Sequence, residues 1–370
     1  MSENSLRIIF YLGLKEFCGV FRDPLLVLLI VYSFTLSIWI SANAKPDSLY
    51  KAAVAVTDED RSQLSTRIIG ALLPPMFAPV RFAGRAETDF LMDQGQITFS
   101  LVFPPDFQRD LLAGKRSEIQ LNVDATRMSQ AFTGAGYIRQ IIADEIAAFT
   151  GAKEKDAAEL VLRSRFNPNL TNVYFASVIQ LISNISLLAI ILTGAALIRE
   201  RERGTLEHLL VMPVEVLEII LSKIWSMGIL VFTAAYLSHI FIIGVVLKVP
   251  MAGSRLLFAA GMIFYLFAVT SIGIFLACIA KNMPQLGILL ILVLMPMEML
   301  SGGMTPVESM PAVLQKIVQI FPTTRFVAFC QGVLYRGAGF ETVWPEMLAQ
   351  LVIGGVLFAA ALFLFRRSIA

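Results

Sequence analysis

The apolar run from Phe175 to Ile198, broken only by small or uncharged polar residues, leads straight into Arg199-Glu200-Arg201-Glu202-Arg203-Gly204-Thr205-Leu206-Glu207. Hydrocarbon excludes free charge, so this junction is where a membrane-spanning helix emerges into water. Leu209-Leu210-Val211-Met212-Pro213-Val214 follows, then a second amphipathic stretch, then another long apolar span from about Ile224. A compact, charged, helix-forming knob between two spans suits docking to something on that side. The chain reads as a polytopic α-helical membrane protein.

Composition points the same way. The hydrophobic share is 56%, charged residues make up 16% and the mean hydropathy is +0.72, whereas soluble domains carry about 25% charge. A helix needs about 20 apolar residues to cross the ~30 Å hydrocarbon layer. Such runs fall at roughly 25–42, 175–198, 224–247, 256–280, 285–303 and 346–365, which predicts six transmembrane helices. Unbroken runs do not suit a barrel, whose strands are alternating segments of about 10 residues. The formal charge of +2 gives no case for nucleic acid. Cys18, Cys278 and Cys330 share no metal spacing and are too few for a disulfide scaffold, so they read as inert thiols.

Ala42-Asn43-Ala44 imitates a signal-peptidase site. A secretory apolar core is usually about 7–15 residues long and follows a short basic segment. Here the run is longer and a substantial stretch precedes it, so an uncleaved signal anchor is expected. The expected plan has an amphipathic interface helix at 1–23, a first span at 24–42 and an inserted extracytoplasmic α/β domain at 43–174. A five-helix transmembrane domain follows at 175–370, with a cytoplasmic coupling loop at 199–223 and an outer re-entrant segment at 304–344.

Orientation follows from Lys and Arg in the short segments. With the N-terminus inside, the inner face holds Arg7, Lys15, Arg22, Arg199, Arg201, Arg203, Lys223, Lys281, Arg366 and Arg367, against Lys248, Arg255, Lys316, Arg325 and Arg336 outside. Both termini are therefore expected in the cytoplasm, as an even number of spans requires. The long domain's own basic residues do not count, because long translocated domains largely escape the rule.

Leu6, Ile9, Phe10, Leu14, Phe17 and Phe21 recur at helical spacing opposite Arg7, Lys15 and Arg22, the pattern of a basic helix lying along a membrane surface. Pro24 then turns the chain into the first span. In the domain after it, Ala52–Thr57, Ile97–Phe103 and Ile119–Asp124 read as buried strands. Asp60–Leu73, Asp106–Ala113 and Met128–Phe149 read as helices, an alternation that suggests an α/β sandwich. From Ser301 to Trp344, glycines and prolines punctuate two short apolar helices, about Val313–Ile320 and Phe326–Tyr335. These are too short to span and suit re-entrant half-helices, whose irregular backbone must be buried in protein or line water.

Four pieces in order resemble the ABC-2 type transporter permeases of the exporter type. These are Lys15-Glu16 with Arg22-Asp23-Pro24; Phe103-Pro104-Pro105-Asp106-Phe107 with Leu111-Leu112-Ala113-Gly114; Glu200 through Leu209 with Met212-Pro213; and Leu300-Ser301-Gly302-Gly303 with Pro306. The resemblance covers essentially the whole chain. It implies a bacterial inner-membrane permease that pairs with a second copy or a sibling subunit and is driven by a separate ATP-binding cassette ATPase. For relatives with so large a loop it also implies a periplasmic adaptor and an outer-membrane channel, with amphiphiles, drugs or lipid-linked molecules as substrates. No catalytic residues, cofactor or metal follow from it.

The coupling candidates are Glu200, Arg201, Glu202, Gly204, Thr205 and Glu207. Flanking charge alone would explain the arginines but not the interleaved glutamates, which add little to topology. Gly204-Thr205 permits a bend or a cap. The chain carries no nucleotide site of its own, because at the nearest approach to a phosphate loop, Gly114-Lys115, Arg109 stands where a glycine must and Arg116 where a hydroxyl must.

The pathway candidates are Glu298, Ser301, Gly302 and Gly332. An acid within the membrane is a functional candidate by default, set against plain hydration near the outer interface. His239 reads as an interhelical hydrogen bonder or a proton relay, and Thr270, Ser271, Gly273 and Gly354-Gly355 as close-packing faces. An intramembrane enzyme or a membrane receptor are the rival readings. His-Glu-x-x-His is missing, and so many spans are more machinery than signalling needs.

Overall fold

The computed structural model describes residues 3–44, 51–115, 117–124, 128–151, 172–204, 214–303 and 305–369. They fall into two compact units, Met1–Lys45 with Ser164–Ala370, and Pro46–Arg163.

The first unit is helical. It opens with α1 (Glu3–Phe21). Asp23 then accepts hydrogen bonds from the Leu25 and Leu26 amides at 3.1 and 3.3 Å, and Pro24 starts α2 (Pro24–Phe34), continued by α3 (Leu36–Asn43) after a break at Thr35. Such caps satisfy the orphan donors of a helix start. The two pieces together are one span-length segment, Pro24–Asn43.

The second unit intervenes with four helices and four strands, and the first resumes with α8 (Asn172–Glu202). α9 (Val216–Ser238) continues as a π-helix over His239–Val246, and α10 (Arg255–Ile279) is capped by Ser254. α11 (Met283–Met299) is capped by Asn282. The short α12 (Ala312–Val318) precedes α13 (Pro322–Cys330), which runs on as a π-turn, Gln331–Tyr335, and α14 (Phe340–Ile369) ends the chain. Among the described residues, five helices are long and apolar enough to cross a membrane, or six if the bent pair Ala312–Val318 and Pro322–Tyr335 is one span.

The sequence counted its fifth span over 285–303. That helix has 17 residues and ends at Met299, because Ser301 and Gly302 (φ +87°) turn the chain. The half-helices lie where glycine and proline placed them and meet at 88°. The span expected at 224–247 begins earlier, at Val216, where Glu215 and Glu218 form a capping box.

α8 is the central post. Its apolar window is 83% buried, against 22% for α14. Lipid tails are as apolar as leucine, so packing and hydrogen bonds hold such helices together. Ser186 and Tyr265 share a hydrogen bond of 2.5 Å between α8 and α10. Gly273 lets α10 approach α8 so closely that a Cβ would lie 2.6 Å from the Ile190 carbonyl oxygen. Asn184 donates to the Ser33 carbonyl, joining α8 to α2.

The second unit holds β1 (Val54–Asp58), α4 (Gln63–Gly70), β2 (Arg81–Phe82), α5 (Arg85–Asp93), β3 (Phe99–Phe103), α6 (Phe107–Leu112), β4 (Gln120–Val123) and α7 (Met128–Thr150). The sheet order is β2-β1-β3-β4, with β1 parallel to both neighbours and β4 antiparallel to β3. β3 is buried throughout because helices cover both faces. Val54, Val56, Phe99, Leu101 and Phe103 pack into one core, while Ala55 turns to the other with Leu91 and Ile97. The expected strands are all present. β2 and α5 are additional, the first too short and too exposed to leave a pattern.

Candidate functional site

Successive side chains on a helix point about 100° apart. The last turn of α8 uses this to send Glu200, Arg201 and Glu202 to different elements. Glu200 is 7% exposed, and its Oε2 lies 2.7 Å from Lys223 Nζ while Oε1 lies 3.2 Å from Lys15 Nζ. Lys223, on α9, is 1% exposed and also reaches Glu16 Oε1 of α1 at 2.9 Å. Two lysines and two glutamates thus close a neutral cluster, the condition under which buried charge is tolerated.

Arg201 Nη1 donates to the Ala280 carbonyl at 2.8 Å and to that of Ala277 at 3.4 Å, at the end of α10. Glu202 Oε1 accepts from the Met283 amide at 2.9 Å, at the start of α11. Gly204 then stands at φ +67° with its N–H on the Arg201 carbonyl at 3.2 Å, a left-handed helix stop. Thr205 and Glu207 lie outside the described residues.

This geometry changes the reading of two positions. The Glu200 carboxylate faces inward and is occupied within the chain, so it is not a side chain held out to a partner. Lys223 was placed at the end of a loop as a flanking charge, but it sits about two turns inside α9 and is buried.

α1 supplies the other half of the cluster and is locked to α9 beside it. The Trp225 Nε1–H donates to the Ile9 carbonyl at 3.0 Å, and Phe10 stacks on the Trp225 ring at 5.7 Å between centroids. A Cβ on Gly13 would lie 2.2 Å from that ring, so only glycine admits the indole. The inward stripe is Ile9, Gly13, Glu16 and Val20. The sequence pattern assigned the apolar face to Leu6, Phe10, Leu14 and Phe21 as well, and these remain exposed. A helix needs little grease to pack on α9 when a glycine and a paired acid make the contact, which leaves its apolar row outward.

The pathway candidates divide. Glu298 is half-buried near the end of α11. Ser301 is buried, donating to the Glu298 carbonyl at 2.7 Å and accepting from the Gly303 amide at 3.3 Å. Ser301 and Gly302 line a cleft of about 410 Å³ with Arg325, Gln331 and Glu346, where Arg325 Nη1 meets Glu346 Oε2 at 3.3 Å. Gly332 is not in this lining. It is buried against α14, where a Cβ would lie 3.1 Å from Val343 Cγ1. The His239 ring lies 4.5 Å from that of Phe258, tilted by 34°, and its Nδ1 has no hydrogen-bond partner among the described residues.

A family model described as "ABC-2 family transporter protein" matches residues 24–363. The chain is 52% identical over 368 residues, 98% of each protein, to the inner membrane transport permease YhhJ of Escherichia coli (strain K12). It is also 27% identical, over 96% of this chain and 97% of the relative, to the probable multidrug ABC transporter permease YbhR of the same organism. To the probable multidrug ABC transporter permease YbhS the identity is 26%, covering 94% of this chain and 93% of that protein. A match across both the helical unit and the sheet-bearing one leaves no large part of the sequence unaccounted for, and the chain belongs to the ABC-2 family of transporter proteins.

Proposed function

We propose that this chain is the membrane-spanning permease subunit of an ATP-binding cassette exporter, working as a dimer with a second copy or a sibling and driven by a separate ATPase subunit. In this reading six spans cross a bacterial inner membrane with both termini in the cytoplasm. The sheet-bearing unit stands outside as an α/β domain, within reach of a periplasmic adaptor and an outer-membrane channel. Amphiphiles or drugs are the substrate class, in keeping with the names of the multidrug relatives.

One observation supports this reading above the rest. Glu200, Arg201 and Glu202 tie the end of α8 to α1 and α9, to α10 and to α11 respectively. A displacement delivered just beyond Gly204 therefore reaches four further helices through three consecutive residues. An ATPase that does work on a pathway needs such a lever, whereas a receptor or an intramembrane enzyme does not.

The test is Gly204→Pro. Proline fixes φ near −65° and lacks the N–H, while this position stands at φ +67° and uses its N–H. The variant is expected at normal membrane abundance, with the ATPase still co-purifying and transport lost. Wild-type transport by Gly204→Pro would mean that force enters elsewhere.

A further inference from the structure

Beside the charge cluster, a cleft of about 420 Å³ opens between the end of α1, the start of α2 and the last turn of α8, with Gly19, Arg22, Asp23, Ala196, Arg199 and Arg203 in its lining. Its acids are occupied. Glu16 and Glu200 pair with Lys223 and Lys15, and Asp23 caps α2. Arg22, Arg199 and Arg203 enter no ion pair among the described residues. With Lys223 counted, five cations face three carboxylates, so the cleft keeps a net positive charge, and each of its three guanidinium groups is a planar fork that matches phosphate oxygens.

The cleft does not end in water on every side. Asp23 and Pro24 in its lining lead directly into Leu25 and Leu28 of α2, exposed by 72% and 64%, and Phe21 at the end of α1 is exposed by 56%. A ligand that uses both features has an anionic head and an apolar tail. Basic pockets between membrane helices hold anionic lipid headgroups for this reason. A soluble anion would use only the charge, and an acidic protein surface would have no use for the leucines.

We propose that this cleft binds the phosphate headgroup of an anionic phospholipid, whose acyl chains lie along Phe21, Leu25 and Leu28. The lipid assignment does not depend on the transport reading. Gly19 forms part of its wall, and a Cβ there would meet nothing within 4 Å. A larger side chain at that position fills the cleft without removing a charge.

The experiment is native mass spectrometry of the detergent-purified full chain, titrated with phosphatidylglycerol or phosphatidylcholine of identical acyl chains. The wild type should prefer phosphatidylglycerol. Each basic residue at an anionic surface is worth about fivefold, so Arg22→Gln, Arg199→Gln and Arg203→Gln together should weaken phosphatidylglycerol binding about a hundredfold. Phosphatidylcholine binding should not change. Gly19→Leu should abolish the preference with all charges in place, Lys248→Gln should preserve it, and soluble glycerol phosphate should not displace the lipid.

Equal affinity of the wild type for the two lipids overturns the proposal, as does a preference that survives in either cleft variant. Displacement by glycerol phosphate would mean that the headgroup alone is recognised, and the lipid assignment would be wrong. Loss of co-purified ATPase from the triple variant with its lipid preference intact would make the cleft a protein-docking surface instead.

Discussion

Lys223 shares a face of α9 with Ile219 and Ile220 one turn before it and Met227 one turn after, and all four are buried. Replacing it by methionine would leave Glu16 and Glu200 facing one another without their shared cation. Breaking a buried pair from one side costs roughly 3–5 kcal/mol, whereas replacing the whole group can be neutral. Lys223→Met should therefore lower the thermal unfolding midpoint in detergent sharply, and adding Glu16→Gln and Glu200→Gln should restore most of it. If the triple variant melts no higher than the single one, the cluster is not what holds α1 to α8. The same geometry separates the coupling glutamates. Glu200→Ala should reduce the amount of folded protein, while Glu202→Ala loses one surface contact worth about 0–1 kcal/mol and should keep it near normal, as fluorescence-detected size-exclusion profiles would show. Glu200 was legible as important, from acids interleaved with arginines. Its partner was not, although a lysine on the apolar face of a helix is the mark of an internal ion pair.

At the scale of elements, amphipathic spacing located α1, but the side it buries depends on Gly13, which spacing does not weigh. Gly13→Ala would place a methyl group inside the Trp225 ring. Overpacking of this kind costs about 1–3 kcal/mol, so hydrogen exchange over the amides of α1 should quicken by about tenfold or more. Gly13→Ala with Trp225→Leu should recover part of the protection. Unchanged exchange in the single variant would mean that α1 is not seated on α9. The bent pair of short helices was legible because proline and glycine punctuate it. Which of its residues face the cleft beside Ser301 and Arg325 was not, since that depends on the 88° bend and on how α14 packs behind it. Gly332→Leu is accordingly expected to cut abundance, because its side chain would drive into Val343. Glu346→Gln, which changes the cleft wall itself, should leave abundance near normal while altering transport.

For the whole molecule, hydropathy and the run of charge after Ile198 settled the helical membrane class, because hydrocarbon excludes free charge and a helix satisfies its own backbone within it. Orientation rests on the distribution of Lys and Arg and is open to a direct check in a cysteine-free background. A cysteine at the exposed Glu118 should react with an impermeant thiol reagent on intact cells, and one at the exposed Glu215 only after the membrane is opened. Labelling of the Glu215 site alone in intact cells would reverse the arrangement, and labelling of both would remove the span between them. The joint at the end of α8 also has an electrical polarity. Arg201 sits on the carbonyl end of one helix and Glu202 on the amide end of the next, so each charge meets the helix dipole of opposite sign. Transposing them, Arg201→Glu with Glu202→Arg, preserves composition, net charge and the count of basic residues on that face, yet turns two attractions into repulsions. Each attraction is worth about 0.3–1 kcal/mol, so the transposed chain should insert normally and transport poorly. The order of these two letters, which no tally of composition registers, is then itself part of the machine.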